Sequence, residues 1–272
     1  MGKSMDISIV VACYNEAAHI RKSLPELVSV LDKTGLMYEL IIIDDCSQDN
    51  TVDVLRQIIA QLGVAADRVT LKVHAANVGR GGTVSEGFRL ATGELVGYLD
   101  IDLEIGPWYL LPALAKISAE QLDGVIAQRI YKLDFHATVL VRQWMSIMFR
   151  KLSHATLKLP LTDVAGGFKF FKRDKILPIL DDCRSEHWFW DTELVYIACR
   201  KGLKIDEIPV LFLRRPVKKS TVRIIPDTLR QLSETYALLQ RTKMLSFDGE
   251  DYPAGEKAVF SEEKEKSHAE KD

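Results

Sequence analysis

The sequence lacks the features that would staple a chain together or carry it through a membrane. Its four cysteines, Cys13, Cys46, Cys183 and Cys199, form no C-x-x-C pair, which argues against a disulfide framework or a zinc ribbon and suits a reducing compartment. No stretch reaches the roughly 18–20 uncharged apolar residues that a bilayer-crossing helix needs. Residues 1–6 run into an apolar strand pattern without the apolar block and cleavage site of a secretory leader, so the expectation is a cytoplasmic protein. Such a chain can lie on a membrane but not span it. An excess of one charge is also missing: 36 Lys and Arg against 38 Asp and Glu leave −2, so any anionic partner must be met by a local basic patch. What remains is ordinary globular composition, 47% apolar and 27% charged, long enough for one large α/β domain with a substantial core.

Apolar runs at Ile7 to Ala12, Leu40 to Ile43, Val69 to Val73 and Leu95 to Leu99 predict strands, most of them covered on both faces. Between them, Ile20, Leu24, Leu27, Val28 and Leu31, then Val52, Leu55, Ile58 and Ile59 after a cap at Asp49, recur at helical spacing. Pro25 predicts a kink or a restart in the first helix. Further strands are expected at Gly124 to Ala127 and Ile205 to Phe212, separated by a long and mostly helical region. Alternation of strand and helix implies a mostly parallel sheet, in which ligands bind beyond the carboxyl ends of the strands.

Polar clusters follow those strands. Tyr14-Asn15-Glu16 comes after the first, Asp44-Asp45-Cys46-Ser47 after the second, and Asp100-Ile101-Asp102-Leu103-Glu104 after the fourth. In extended backbone Asp100, Asp102 and Glu104 point the same way, and such a set suits Mg2+ or Mn2+ completed by substrate phosphates. Asn77-Val78-Gly79-Arg80-Gly81-Gly82 opens a helix whose N-terminus, with Arg80, favours an anion, although it is neither G-x-G-x-x-G nor a P-loop. Between Phe135 and Thr162 no acidic residue occurs, while Arg142, Arg150, Lys151 and Lys158 lie among apolar residues. This is the form of a helix at an anionic membrane surface, and equally of a buried helix with a basic edge. A second basic cluster, Arg214, Arg215, Lys218, Lys219 and Arg223, lacks interleaved aromatics, so nucleic acid is not an expected partner. Asp191 and Glu193 precede a helical run and are candidate bases, with helix capping by Asp191 as the plainer role.

Val10 to Glu16, Ile43 to Thr51, Asn77 to Gly81 and Asp100-Ile101-Asp102 resemble the ordered motifs of the inverting glycosyltransferases with the GT-A fold. Gln128-Arg129, Thr162 to Phe171 and Trp190 to Leu194 resemble the polyprenyl-phosphate branch, the dolichyl-phosphate glucosyl- and mannosyltransferases in particular. The resemblance implies a GT-A domain over residues 6–223, with 224–247 left as a helical extension and 248–272 as a charged, disordered tail. It also implies that Ala12, Tyr14, Glu16, Asp44 and Asp45 meet the nucleotide, with Asn77, Arg80, Gly81 and Asp100 beside it. Asp100, Asp102 and Glu104 would hold the metal, and Arg129 would face the diphosphate. Asp163, Gly167, Phe168 and Lys169 would shape the acceptor side, with Asp191 and Glu193 near the transfer centre. Arg142, Lys169, Lys218, Lys219 and Arg223 would meet an acceptor phosphate. Three departures stand out: Ala12 replaces a usual proline, Arg80 a usual lysine, and Lys219-Ser220-Thr221-Val222 a usual Gly-Ser-Lys-Val.

The implied reaction moves a sugar from a UDP-glucose-like or GDP-mannose-like donor to a polyprenyl or dolichyl phosphate, with inversion, at the cytoplasmic face of a membrane. A saccharide or other hydroxyl acceptor is the alternative. A membrane subunit or a second copy of the chain stays open as a partner. Asp100-x-Asp102 also fits a haloacid-dehalogenase-type phosphohydrolase, but that leaves the clusters at Tyr14 and Asp44 without a use. A sugar-nucleotide pyrophosphorylase would want a Gly-rich loop after the first strand, and a non-catalytic binding subunit would not need the full acidic set.

Overall fold

The first four apolar runs form β1 (Ile7–Cys13), β2 (Tyr38–Asp44), β3 (Val69–Val73) and β4 (Leu95–Leu99). Helices α1 (Ala17–Thr34), α2 (Thr51–Leu62) and α3 (Arg80–Leu90) connect them, and α4 (Leu110–Ala119) follows β4. Then come β5 (Gly124–Tyr131), β6 (Phe168–Lys172), α5 (Arg173–Leu180), α6 (Trp190–Arg200), β7 (Ile205–Phe212) and α7 (Ile224–Met244). The structure is a computed structural model that describes residues 5–63, 68–131, 156–157, 159–213 and 224–244. Most of the basic, apolar stretch at 135–162 lies outside the described residues, as do Arg142, Lys218, Lys219, Arg223 and the tail at 248–272.

The strands form one sheet in the order β3-β2-β1-β4-β6-β5-β7. All are parallel except β6, which runs antiparallel to both β4 and β5. β6 falls inside the region expected to be mostly helical. Its signal was present in Phe168-Lys169-Phe170-Phe171, an aromatic run just after Gly166-Gly167, which suits a strand better than a helix. Because it runs backwards, its beginning lies at the same edge as the ends of β4 and β5, with Leu99 opposite Phe168.

Alternation along the strands feeds two cores. Ile7, Ile9, Val11 and Cys13 point to one face, against Ile20, Leu24 and Leu27 of α1, Leu55 of α2 and Leu110 of α4. Val10, Ile41 and Ile43 point to the other, against Val84 and Phe88 of α3, Ile176 of α5, Trp190 and Leu194 of α6 and Leu238 of α7. Of the kink or restart expected at Pro25, the restart does not occur: α1 continues through it. Leu24, Leu27, Val28 and Leu31 are all buried on the two sides of the proline, and this packing holds the helix across the lost N–H bond. The N-cap of α2 is Asn50, not the expected Asp49, whose Oδ1 accepts the Thr51 N–H at 2.9 Å.

Glycine sets how closely β4 and β6 approach. A Cβ on Gly97 would lie 2.0 Å from a ring carbon of Phe170 and 2.6 Å from the Lys169 carbonyl oxygen. Gly97→Ala is therefore expected to cost about 1–3 kcal/mol, as overpacking in a tight core does, measured as a lowered urea midpoint at unchanged m value.

Candidate active site

The neighbouring strands β2, β1 and β4 end at one edge, so their three polar clusters stand side by side as expected. Each following turn contains a non-glycine residue in the left-handed region: Asn15 (φ 56°), Cys46 (φ 63°) and Leu103 (φ 50°). Such backbone is costly, most of all for a bulky residue, and it persists where surrounding contacts enforce it. Hydrogen bonds between the turns supply those contacts. Ser47 donates to Asp44 Oδ1 at 2.5 Å and accepts the Asn15 N–H at 2.9 Å, while Asn15 Oδ1 accepts the Gln48 N–H at 2.7 Å. Asp44, fully buried, thus ties the first turn to the second. Ala12 is half-buried at the end of β1, Tyr14 is exposed beyond it, and the Glu16 N–H donates to Thr51 Oγ1 at 2.9 Å.

Asp100, Asp102 and Glu104 do not share one strand face. β4 ends at Leu99, and the Leu103 N–H closes a turn onto the Asp100 carbonyl at 3.0 Å, with Leu103 buried in the core. This anchored left-handed residue breaks the period of two on which the alignment depended. Among the described residues no three His, Cys, Asp or Glu side chains gather to hold a metal, so Glu104 is not brought into a set with the two aspartates. The Asp102 side chain is buried and its Oδ1 accepts the Glu104 N–H at 3.2 Å. Two carboxylates from one tight turn remain, a donor set that fits an ion taking one or two carboxylates and finishing its shell on phosphate oxygens.

Arg80 is the centre of the site. Its Nη1 donates to Asp100 Oδ1 at 2.5 Å and its Nε to Asp191 Oδ2 at 3.3 Å, and its guanidinium lies 5.3 Å from the Tyr98 ring and 5.2 Å from the Trp188 ring. Burial works against its charge, but the two carboxylates hold it above the usual arginine range. Asp191 Oδ1 accepts from Lys169 Nζ at 2.8 Å; that ammonium, 0% exposed, also donates to Tyr98 Oη at 3.0 Å and to the Gly166 carbonyl. Burial pushes the Asp191 carboxyl up to about 7 against the pull of Arg80. Burial, with Arg80 nearby, pushes Lys169 well below its usual range. The two shifts meet at one hydrogen bond, from Lys169 Nζ to Asp191 Oδ1. Gly167 makes room for this cluster, since a Cβ there would fall 2.1 Å from Asp100 Oδ2.

Several residues expected to touch ligands are supports instead. Lys169 is wholly enclosed and its donors are taken, so it presents nothing to an acceptor phosphate. Glu193 points away from Asp191: its Oε2 accepts the N–H groups of Arg184 (2.9 Å) and Ser185 (2.7 Å), and its Oε1 pairs with Arg241 at 2.5 Å. The carboxylate that meets Arg80 is that of Asp191. The N–H groups of Gly81 and Gly82, expected to favour an anion, are occupied by the Glu186 carbonyl at 2.8 and 3.2 Å. Asn77 donates to the Asp45 carbonyl at 3.0 Å, and the Asp45 carboxylate accepts the N–H groups of Val78 (2.8 Å) and Gly79 (2.9 Å). At the end of β5, Arg129 forms two side-chain bonds to the buried Asp163, 2.7 and 2.8 Å, with Tyr131 and Phe212 flanking it. Glu207 accepts the Asp163 N–H at 2.7 Å and so fixes that aspartate in turn.

Tyr98 and Glu207 carried no signal in the sequence, since each sits inside a strand pattern, Tyr98 within an apolar run. His74 could have been found, because it directly follows β3 at the same edge as the other clusters. Its Nδ1 lies 2.8 Å from Asp45 and its Nε2 2.7 Å from Glu86. Burial disfavours the charged ring, but those carboxylates outweigh it and raise His74 above its ordinary value of 6.5. A raised folded value stabilises the fold fully below the unfolded one and loses that stability as pH climbs through the folded one. The wild type is therefore expected to lose part of its stability above about pH 6.5, and His74→Gln to flatten that slope in urea titrations across pH. Asp163→Ala, which removes the buried carboxylate that holds Arg129 by two bonds, is expected to cost about 3–5 kcal/mol in the same measurement.

Comparison with known proteins bears on the family and the fold. The model of the family "Glycosyl transferase family 2" matches residues 8–178. The glycosyltransferase AglD of Haloferax volcanii is 27% identical over 83% of this chain and 35% of its own length. The dolichyl-phosphate beta-glucosyltransferase of Saccharomyces cerevisiae is 28% identical over 75% of this chain and 66% of its own length. The chain thus spans about a third of one relative and just under two thirds of the other. Among solved structures, glucosyl-3-phosphoglycerate synthase from Mycobacterium tuberculosis, in complex with Mn2+, UDP and phosphoglyceric acid, superposes with a TM-score of 0.62 at 17% identity, over 90% of this chain and 81% of that one. TarS of S. aureus in complex with UDP-GlcNAc gives 0.59 at 17%, over 92% and 69%. These likenesses extend the GT-A architecture across the described sheet, and the match over residues 8–178 places the chain in glycosyl transferase family 2.

Proposed function

We propose that the protein transfers a sugar from a nucleoside-diphosphate donor, UDP-glucose-like or GDP-mannose-like, to a polyprenyl phosphate, inverting the anomeric carbon, at the cytoplasmic face of a membrane. The observation that carries the reading is the clustering of Asp44, Asp100 and Asp102 at the carboxyl edge of the parallel sheet, with Arg80 beside them. The yeast dolichyl-phosphate glucosyltransferase, related over most of the chain, supports the acceptor class. No helix among the described residues is long and apolar enough to cross a membrane.

In this reading Tyr14, with the turn that Asp44 fixes, receives the base and ribose, and Asp100 and Asp102 would hold a divalent ion, Mg2+ or Mn2+, that offsets charge on the diphosphate. The acceptor oxygen attacks the anomeric carbon from the face opposite the diphosphate; the new C–O bond forms as the old one breaks, and the electron pair leaves with the nucleoside diphosphate. Arg80 and Arg129 set the electrostatics of the edge on which that charge develops. A phosphate acceptor needs no base. Asp191, 3% exposed with each oxygen engaged, is better placed to orient Arg80 and Lys169 than to take a proton.

The second reading, a hydroxyl acceptor, draws on the value of about 7 for Asp191, which suits a base at neutral pH. Asp191→Asn separates the two: loss of a general base costs roughly 10²–10⁴-fold in turnover. A loss that large, with nucleotide binding intact, would favour the hydroxyl. Transfer to polyprenyl phosphate is tested with UDP- and GDP-sugars, each with and without Mn2+. Asp102→Ala is expected to abolish turnover, and an active variant would remove Asp102 from the metal assignment.

A further inference from the structure

We propose that Glu193 and Arg241 are a positioning pair that seats residues 184–188 against Arg80, which makes the C-terminal helix α7 a working part of the donor site. The links run in order. Arg241 on α7 pairs with Glu193, whose carboxylate is 4% exposed. The same carboxylate accepts the N–H groups of Arg184 and Ser185. One residue on, the Glu186 carbonyl caps the first N–H groups of α3 at Gly81 and Gly82, and Trp188 lies over Arg80. Gly79 and Gly81 admit this segment at close range: a Cβ on Gly79 would lie 2.4 Å from the Glu186 carbonyl oxygen, and one on Gly81 2.4 Å from Trp190 Cβ.

α7 is held at this place by more than the ion pair. Leu238 is buried in the second core, and Tyr196 Oη lies 3.3 Å from Thr242 Oγ1. Two carboxylates of one helical turn therefore diverge, Asp191 to the inner face of Arg80 and Glu193 to the segment that covers it. Without Arg241 the buried Glu193 charge loses its cation, which weakens its grip on Arg184 and Ser185 and, through Glu186, on the start of α3.

The proposal rests on reading this edge as the donor site, so its test has one readout that does not depend on donor. In amide hydrogen exchange, Arg241→Met is expected to speed exchange at Arg184 and Ser185 and also at Gly81 and Gly82, while β1 and β2 stay protected. UDP or GDP affinity, measured by calorimetry with Mn2+, is expected to fall roughly 2–30-fold, and Arg241→Lys to restore both quantities toward wild type. Should Arg241→Met fail to fold, the isosteric Glu193→Gln is read in the same assays with the same expectation. Faster exchange confined to residues 184 and 185, or unchanged exchange in either variant, overturns the proposal, as does unchanged nucleotide affinity. If the wild type binds neither nucleotide, the donor reading fails, and coupled exchange between 184–185 and 81–82 still decides the positioning claim.

Discussion

Arg80 carries the site. One guanidinium, largely enclosed beneath Trp188 and beside Tyr98, joins Asp100 at the end of β4 to Asp191 at the start of α6, and it belongs to the first turn of α3. Three elements distant in sequence are thus held by one charge. A cation so largely enclosed is tolerable only when its carboxylate partners are close and aligned, and the neighbourhood is shaped to keep them so. Gly167 leaves room above Asp100, Lys169 secures the second oxygen of Asp191, and Leu103 anchors the turn that fixes where Asp100 and Asp102 point.

Around that cation the polar groups fall into two kinds. Tyr14 stands exposed at the sheet edge, where a ligand can reach it, whereas the buried Asp45, Lys169 and Glu193 spend their hydrogen bonds on the protein itself. The enclosed groups hold backbone N–H groups or buried counter-charges that would otherwise be unsatisfied, which costs more than a contact at the surface gains. The site's acidity is therefore largely internal support. This also explains how a chain of net charge −2 can gather carboxylates at one edge without strong repulsion, since Arg80, Arg129, Lys169 and Arg241 are distributed among them.

The antiparallel strand β6 gives the edge its second half. Were it parallel, Asp163, Gly166 and Gly167 would lie at the far end of the sheet. Running backwards between β4 and β5, it places them beside Asp100 and Arg129 instead. The glycines that open α3 have a matching use: they admit the segment before α6 and leave its Glu186 carbonyl to cap the helix.

The sequence by itself determined the strands β1 to β5 and β7, the alternation with helices, and the gathering of polar clusters at the carboxyl edge, because hydrophobic periodicity and the strand-end rule are local properties of the chain. The family motifs were legible for the same reason: Asp44, Asn77 and Asp100 stand at fixed offsets from those strands. Only the tertiary structure decided what each residue of the site does. Whether Asp191 or Glu193 faces Arg80 depends on where α6 packs, and whether Lys169 meets solvent depends on a strand that runs against its neighbours. The alignment expected for Asp100, Asp102 and Glu104 yielded to one left-handed leucine held by the core. Spacing tells which residues can be neighbours. Burial and the direction of each hydrogen bond tell which partner a charge takes, and both are set by contacts between segments far apart in the chain.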